Sequence, residues 1–184
     1  MSRATMNARA RAARGAPWPP VCIGAVTGFL VLAVLAALTG PLPGDVALRD
    51  AVLAAASPAL VTLARVINYG GEWPGLLPAT VLLFALSSES RRRWWLWCGI
   101  MAGTGIAETA FKHLVARPRP EDVSMGFPSG HAAAIAVFSV ILLYLAGRSR
   151  VAAERRIAFV SVTLVVVGLV GLARIVLNAH WPSD

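Results

Sequence analysis

Lys112, Arg119 and Arg174 are cations, Ser129 and Gly130 stand directly before His131 in the stretch FPSGHAA at 127–133, and His180 precedes Asp184 by four residues. FPSGHAA opens a long apolar run, and a polar cluster at the mouth of an apolar helix is costly unless it holds something. The N-terminus of a helix presents free backbone N–H groups and the positive end of its dipole, which suit an anion. Glycine in front of His131 lets that anion approach the backbone closely. Gathered together, these eight residues would form a pocket with the size and charge to hold a phosphate, with His131 and His180 as its titratable groups.

What must gather them is a set of membrane helices. The 184 residues are 57% hydrophobic and 14% charged, with a mean hydropathy of +0.68, too apolar for an ordinary soluble domain. Residues 15–44, 73–88, 94–107 and 157–173 carry no Asp, Glu, Lys or Arg, and within 127–147 the one ionisable side chain of the basic or acidic kind is His131. A bilayer core of roughly 30 Å takes about 20 mostly apolar residues per helix. The expected fold is an all-α integral membrane bundle of five spans, at about 21–38, 74–88, 94–113, 129–147 and 157–177. Segment 45–68, interrupted by Ser57-Pro58, is expected on the outer surface as one or two interfacial helices, because a crossing there would carry the arginines at 91–93 outside.

The formal charge of +8 would suit a nucleic acid, but the basic residues sit in blocks between the apolar runs: Arg3, Arg9, Arg11 and Arg14, then Arg91, Arg92 and Arg93, then Arg148, Arg150, Arg155 and Arg156. The positive-inside rule puts all three blocks in the cytoplasm. Charge therefore reports topology, and no nucleic-acid partner is expected. Residues 1–19 read as a flexible basic cytoplasmic tail and 20–184 as a single membrane domain. The first apolar run is long and lacks a small-x-small cleavage site, so it reads as a retained helix rather than a signal. Trp18, Trp73, Trp94, Trp95, Trp97 and Trp181 fall at or near span ends, where aromatic belts sit. Cys22 and Cys98 read as buried small hydrophobes, without a metal-ligand spacing around them.

Hairpin alternation of these spans brings 112–120, 128–131 and 173–184 to one membrane face. Other polar residues read more plainly. Arg117 is expected to be a solvated charge or a lipid-headgroup contact, His113 a satisfied polar residue, and Arg49 and Arg65 snorkelling side chains. Ser57, Asn68, Gly70 and Gly71 read as turn residues. Glu108, four residues before Lys112 on the same helix face, is placed to orient it.

The three converging stretches resemble, in order and spacing, the tripartite signature of the type 2 phosphatidic acid phosphatase superfamily, which also includes undecaprenyl pyrophosphate phosphatases, glucose-6-phosphatases and vanadium haloperoxidases. The matching residues are Lys112, six residues, then Arg119-Pro120; Pro128-Ser129-Gly130-His131; and Arg174, five residues, His180, three residues, Asp184. The resemblance implies metal-independent hydrolysis of a lipid phosphate or pyrophosphate. By it, His180 is the nucleophile that takes the phosphoryl group, Asp184 fixes its tautomer, and His131 is the general acid on the leaving oxygen. Lys112, Arg119, Arg174, the Ser129 hydroxyl and the Gly130 N–H would bind the phosphate oxygens. An imidazole titrates at about pH 6.5, so one can be neutral for attack while the other is protonated for donation. Fixed guanidinium and ammonium charges offset the charge on the transferring group, so no metal or cofactor is required. The implied partners are a lipid phosphate substrate and membrane lipids. The implied place is a bacterial cell membrane, N-terminus cytoplasmic and site on the outer face.

Two features depart from the pattern. Ala173 stands where it has serine, removing one hydroxyl. The chain stops at Asp184, where the family continues into a sixth helix, so the 184 residues are expected to be part of a longer product and to turn over weakly or not at all alone. Two other functions share parts of the reading. A vanadate-dependent haloperoxidase-like enzyme would use the same anion pocket, although those relatives are typically soluble. A non-catalytic membrane transport or interaction protein would be expected to line a path with its intramembrane charges, rather than cluster them at one face.

Overall fold

In lipid an apolar run satisfies its backbone only through its own hydrogen bonds, so uncharged stretches of this length fold as helices. The computed structural model describes residues 18–148 and 153–184. They form α1 (Trp18–Thr39), α2 (Asp45–Ala54), α3 (Pro58–Asn68), α4 (Trp73–Leu86), α5 (Ser88–Arg92), α6 (Trp94–Val115), α7 (Gly130–Arg148) and α8 (Ala153–Val176), with a 3-10 turn at Tyr69–Gly71. The only β pairing among the described residues is an isolated bridge between Pro118 and Met125. The expected tail lies outside the described residues apart from Trp18 and Pro19, which already belong to α1.

Among the described residues three helices are by themselves long and apolar enough to cross a membrane, Pro20–Thr39, Gly130–Gly147 and Ile157–Val176, and the bent pair Asp45–Ala54 with Pro58–Gly71 meets that standard only when taken together. The other two expected spans are helices at the expected places but fall short of that standard. The fourteen residues of α4 make it short, and the run of α6 is diluted by Trp94, Trp95, Trp97 and Glu108. Segment 45–68 is two helices bent by 117°. The break is local chemistry: Ser57 caps α3 by accepting from the Leu60 amide at 3.2 Å, and Pro58 takes the first helical position.

Small residues set the packing. α1 buries Ala33 and Ala36 and, with Phe29, packs on Phe111 and Val115 of α6 and on Phe127. Phe29 meets Phe111 edge-on at 4.8 Å and stacks on Phe127 at 5.6 Å. Ala64 of α3 sits against Ala173 and Val176 of α8, and small side chains of this kind let two backbones approach. Helices α6, α7 and α8 pack side by side in chain order, and α3 also packs on α8.

Trp97 falls in the first turn of α6, near the span end as expected, but its ring turns inward, 6% exposed and 5.6 Å from that of Tyr144. One local expectation is corrected. Cys22 and Cys98 are exposed on the bundle rather than buried: a helix in lipid turns small apolar side chains outward as readily as inward, so hydrophobicity does not encode which way they face.

Candidate active site

Helix α8 ends at Val176 and the chain reverses through Asn178, whose φ of 54° lies in the left-handed region that asparagine tolerates. The Asn178 side chain is held by Arg49 Nε at 2.6 Å and by Glu121. Arg49, expected to snorkel, thus braces this turn, and it lies over the Trp181 ring at 5.6 Å.

The turn folds His180 inward to 2% exposure. Its Nδ1 lies 3.1 Å from Asp184 Oδ2, which also accepts from the Trp181 amide at 2.8 Å. A carboxylate facing Nδ1 puts the ring proton there and leaves Nε2 with its lone pair. Burial pushes the imidazole below its ordinary value, against the pull of Asp184, with Arg174 and Arg119 adding to the downward shift. The ring is therefore neutral at pH 7. Gly126 makes room for the carboxylate: a Cβ there would lie 3.1 Å from Asp184 Oδ2.

Arg117, expected to be solvated, is 1% exposed and stands behind this pair. Its guanidinium bonds Asp45 Oδ2 at 2.7 Å and Ser183 Oγ at 2.9 Å, and lies 3.4 Å from Asp184 Oδ1. Asp45 also receives the Ser183 amide at 3.0 Å and the Leu42 amide at 2.7 Å. The start of α2 is thereby tied to the loop that carries His180. Nothing local in the sequence marks this, because Arg117 and Asp45 are 72 residues apart.

His131 sits in the first turn of α7 with Nε2 2.7 Å from Glu72 Oε1. The same carboxylate oxygen accepts from Asn68 Nδ2 at 2.5 Å, and Arg174 NH1 donates to Asn68 Oδ1 at 2.8 Å. Asn68, read as a turn residue, is thus a buried link, and Glu72 went unmarked in the sequence. Gly71 is needed for closeness rather than turning alone, since a Cβ would fall 2.8 Å from both Cβ and the carbonyl oxygen of His131. Gly71→Ala is expected to push His131 off its position and lower kcat/KM by about 100-fold, measured as phosphate release; unchanged kinetics would show that His131 does not depend on this contact.

Lys112 is ion-paired to Glu108. Gly130 packs so closely on Glu108 that a Cβ would lie 2.5 Å from its Oε1, so this glycine makes room for a carboxylate as well as for an approaching anion. The Ser129 amide is taken by the Asp184 main-chain oxygen at 3.0 Å, while its hydroxyl has no partner among the described residues. Neither has Nε of Arg119 or of Arg174. All eight residues picked out by type and spacing thus gather at one end of α6, α7 and α8. Five of them, Lys112, Arg119, Gly130, His131 and His180, line a cavity of about 580 Å³. Glu72, Glu108 and Thr80 also line it, and the rest of its wall is mainly apolar, with Leu76 and Phe84 from α4, Trp97 and Met101 from α6, and Phe138 and Ile141 from α7.

An all-helical membrane bundle with a two-histidine, multi-cation pocket opening onto an apolar cavity defines the class of protein. The chain belongs to the PAP2 superfamily, whose family model matches residues 93–184. It is 30% identical over 155 residues to a decaprenylphosphoryl-5-phosphoribose phosphatase of Mycolicibacterium smegmatis, covering 74% of this chain and 78% of that protein. Its fold is similar to the crystal structure of a transmembrane PAP2 type phosphatidylglycerolphosphate phosphatase from Bacillus subtilis, with a TM-score of 0.76 at 24% identity over 88% of this chain and 85% of that one.

Proposed function

We propose that this chain hydrolyses phosphate monoesters or diphosphates of membrane lipids without a metal, through a phosphoryl group carried on His180. The observation that carries this reading is a trio of buried polar atoms without a partner among the described residues, Arg119 Nε, Arg174 Nε and Ser129 Oγ. They come from the three separated stretches that also carry Lys112, His131 and His180. A buried donor left unpaired costs about 1–3 kcal/mol, and a tetrahedral oxyanion would satisfy all three. The apolar length of the cavity suits an acyl or prenyl chain. Both relatives are named for lipid-linked phosphates, which agrees with that substrate class. The basic blocks on the other side of the spans favour a site on the outer face.

In this mechanism Nε2 of His180 attacks phosphorus and the bond to the lipid oxygen breaks. The proton of His131 goes to that oxygen. Water then attacks the phosphohistidine, its proton returns to His131, the P–N bond breaks, and inorganic phosphate leaves. Lys112, Arg119 and Arg174, with the Ser129 hydroxyl and the Gly130 amide, hold the other oxygens throughout.

Phosphate release by the detergent-solubilised full-length protein, over a panel of lipid mono- and diphosphates, tests this directly. At least one should be hydrolysed, equally with and without EDTA; release from none, or loss in EDTA, contradicts it. The neutral form of His180 attacks, and its value lies below 6.5. Protonation in acid removes that form, so the acid limb of kcat/KM should lie below the ordinary imidazole value of about 6.5. An acid limb centred above that point would contradict a buried nucleophilic imidazole.

A further inference from the structure

We infer that Glu72 is a positioning residue for His131, accepting a hydrogen bond from the ring's Nε2 proton and so orienting the imidazolium whose other proton goes to the leaving oxygen, and that it thereby governs the acid half of the reaction rather than phosphate binding. The inference rests on the phosphatase reading above.

A general acid must carry its proton when the substrate arrives. The groups that face His131 are Arg174 from α8 and Lys112 from α6, both cations, with Glu72 between α3 and α4. Glu108 is engaged by Lys112. Cations near an imidazole favour its neutral form, and an opposing carboxylate favours the charged one. Glu72 is the carboxylate that meets the ring, at 2.7 Å.

Its own position is fixed from three sides. The Glu72 backbone is extended (φ −109°, ψ 166°) at the N-cap of α4, where the helix dipole favours a negative side chain. Asn68 donates to the same oxygen that faces His131, and Arg174 fixes the Asn68 amide from its other end. The bond from His131, above all, holds the Glu72 carboxyl below the usual carboxylate range, so it is ionised at neutral pH. Gly71, the preceding residue, packs on the His131 backbone, so turn and ring are held to each other at two points. The arrangement mirrors His180 with Asp184, a second histidine with its own carboxylate. Glu72 meets the ring of His131 directly but Arg174 through Asn68, so its main effect should fall on proton delivery.

The test exploits the leaving group. The alkoxide of a phosphatidate needs a proton to depart, whereas the phenolate of p-nitrophenyl phosphate leaves without one. In the full-length protein, Glu72→Gln should lower kcat on dioleoyl phosphatidate by about 10- to 100-fold, part of the 10²–10⁴ that a general acid supplies. It should change kcat on p-nitrophenyl phosphate less than about threefold, leave KM for both nearly unchanged, and move the basic limb of the phosphatidate profile to lower pH. Glu72→Asp, which keeps the charge, should recover part of the lost rate. The ratio of the two rates does not depend on how much protein is folded, so a poorly folding variant still decides the matter. Equal losses on both substrates, or none on either, would overturn the inference. A wild-type protein inactive on every lipid phosphate would instead overturn the phosphatase reading beneath it.

Discussion

His180→Ala should lower phosphate release at least about 1000-fold while leaving phosphate affinity within a few-fold of the unaltered protein. The ring supplies the atom that bonds to phosphorus, and no other described side chain combines its burial, its neutral charge and its carboxylate-set tautomer. The cations that would hold the phosphate come from other positions, so binding survives the loss of the nucleophile. Asp184→Asn tests the tautomer separately. An amide at that place can donate to Nδ1, move the ring proton to Nε2 and remove the attacking lone pair, with an expected loss of about 10²–10⁴ in kcat. Isothermal titration with inorganic phosphate alongside rate measurements separates the two effects. A variant losing affinity and rate in equal measure would show that His180 binds rather than attacks.

Arg117→Ala should be the most destabilising single change around the site. The guanidinium is paired with two carboxylates whose side chains are 4% and 1% exposed. Removing one partner of a buried ion pair typically costs about 3–5 kcal/mol, because the charge left behind stays buried; here Asp45 and Asp184 would face each other without a cation. The unfolding temperature in detergent should drop. Asp45→Asn should cost less, since Asp184 and Ser183 still meet the arginine. The double variant Arg117→Gln with Asp45→Asn should be more stable than Arg117→Gln alone. A surface-like loss below about 1 kcal/mol would return Arg117 to the solvated role that its sequence position suggests.

The helices were legible in the sequence because uncharged runs and Pro, Gly and Arg punctuation are local signals: expected boundaries such as 94–113 and 157–177 lie within a few residues of Trp94–Val115 and Ala153–Val176. The break in segment 45–68 was legible from Ser57-Pro58, though not whether the segment makes one helix or two. The eight site residues were legible because their types and spacings recur as a signature, and chain-order packing of α6, α7 and α8 does the rest. What supports them was not. Glu72 reaches His131 over 59 residues and Asp45 reaches Ser183 over 138, and no period or spacing announces a partner at such separation. Arg117 was misread for the same reason: a charge between motif positions looks solvated until its carboxylates are seen. Side-chain orientation toward lipid or protein, as for Trp97 and Cys98, also depends on neighbouring helices rather than on the run that carries them.

The central claim, a phosphoryl group carried on one buried imidazole, is tested most directly by trapping it. Full-length protein mixed with lipid phosphate labelled at phosphorus, quenched in base within one turnover and digested, should yield one acid-labile, base-stable label on the peptide containing His180 and none in His180→Ala. Turnover with no label on that peptide, or label on His131 instead, would contradict the account.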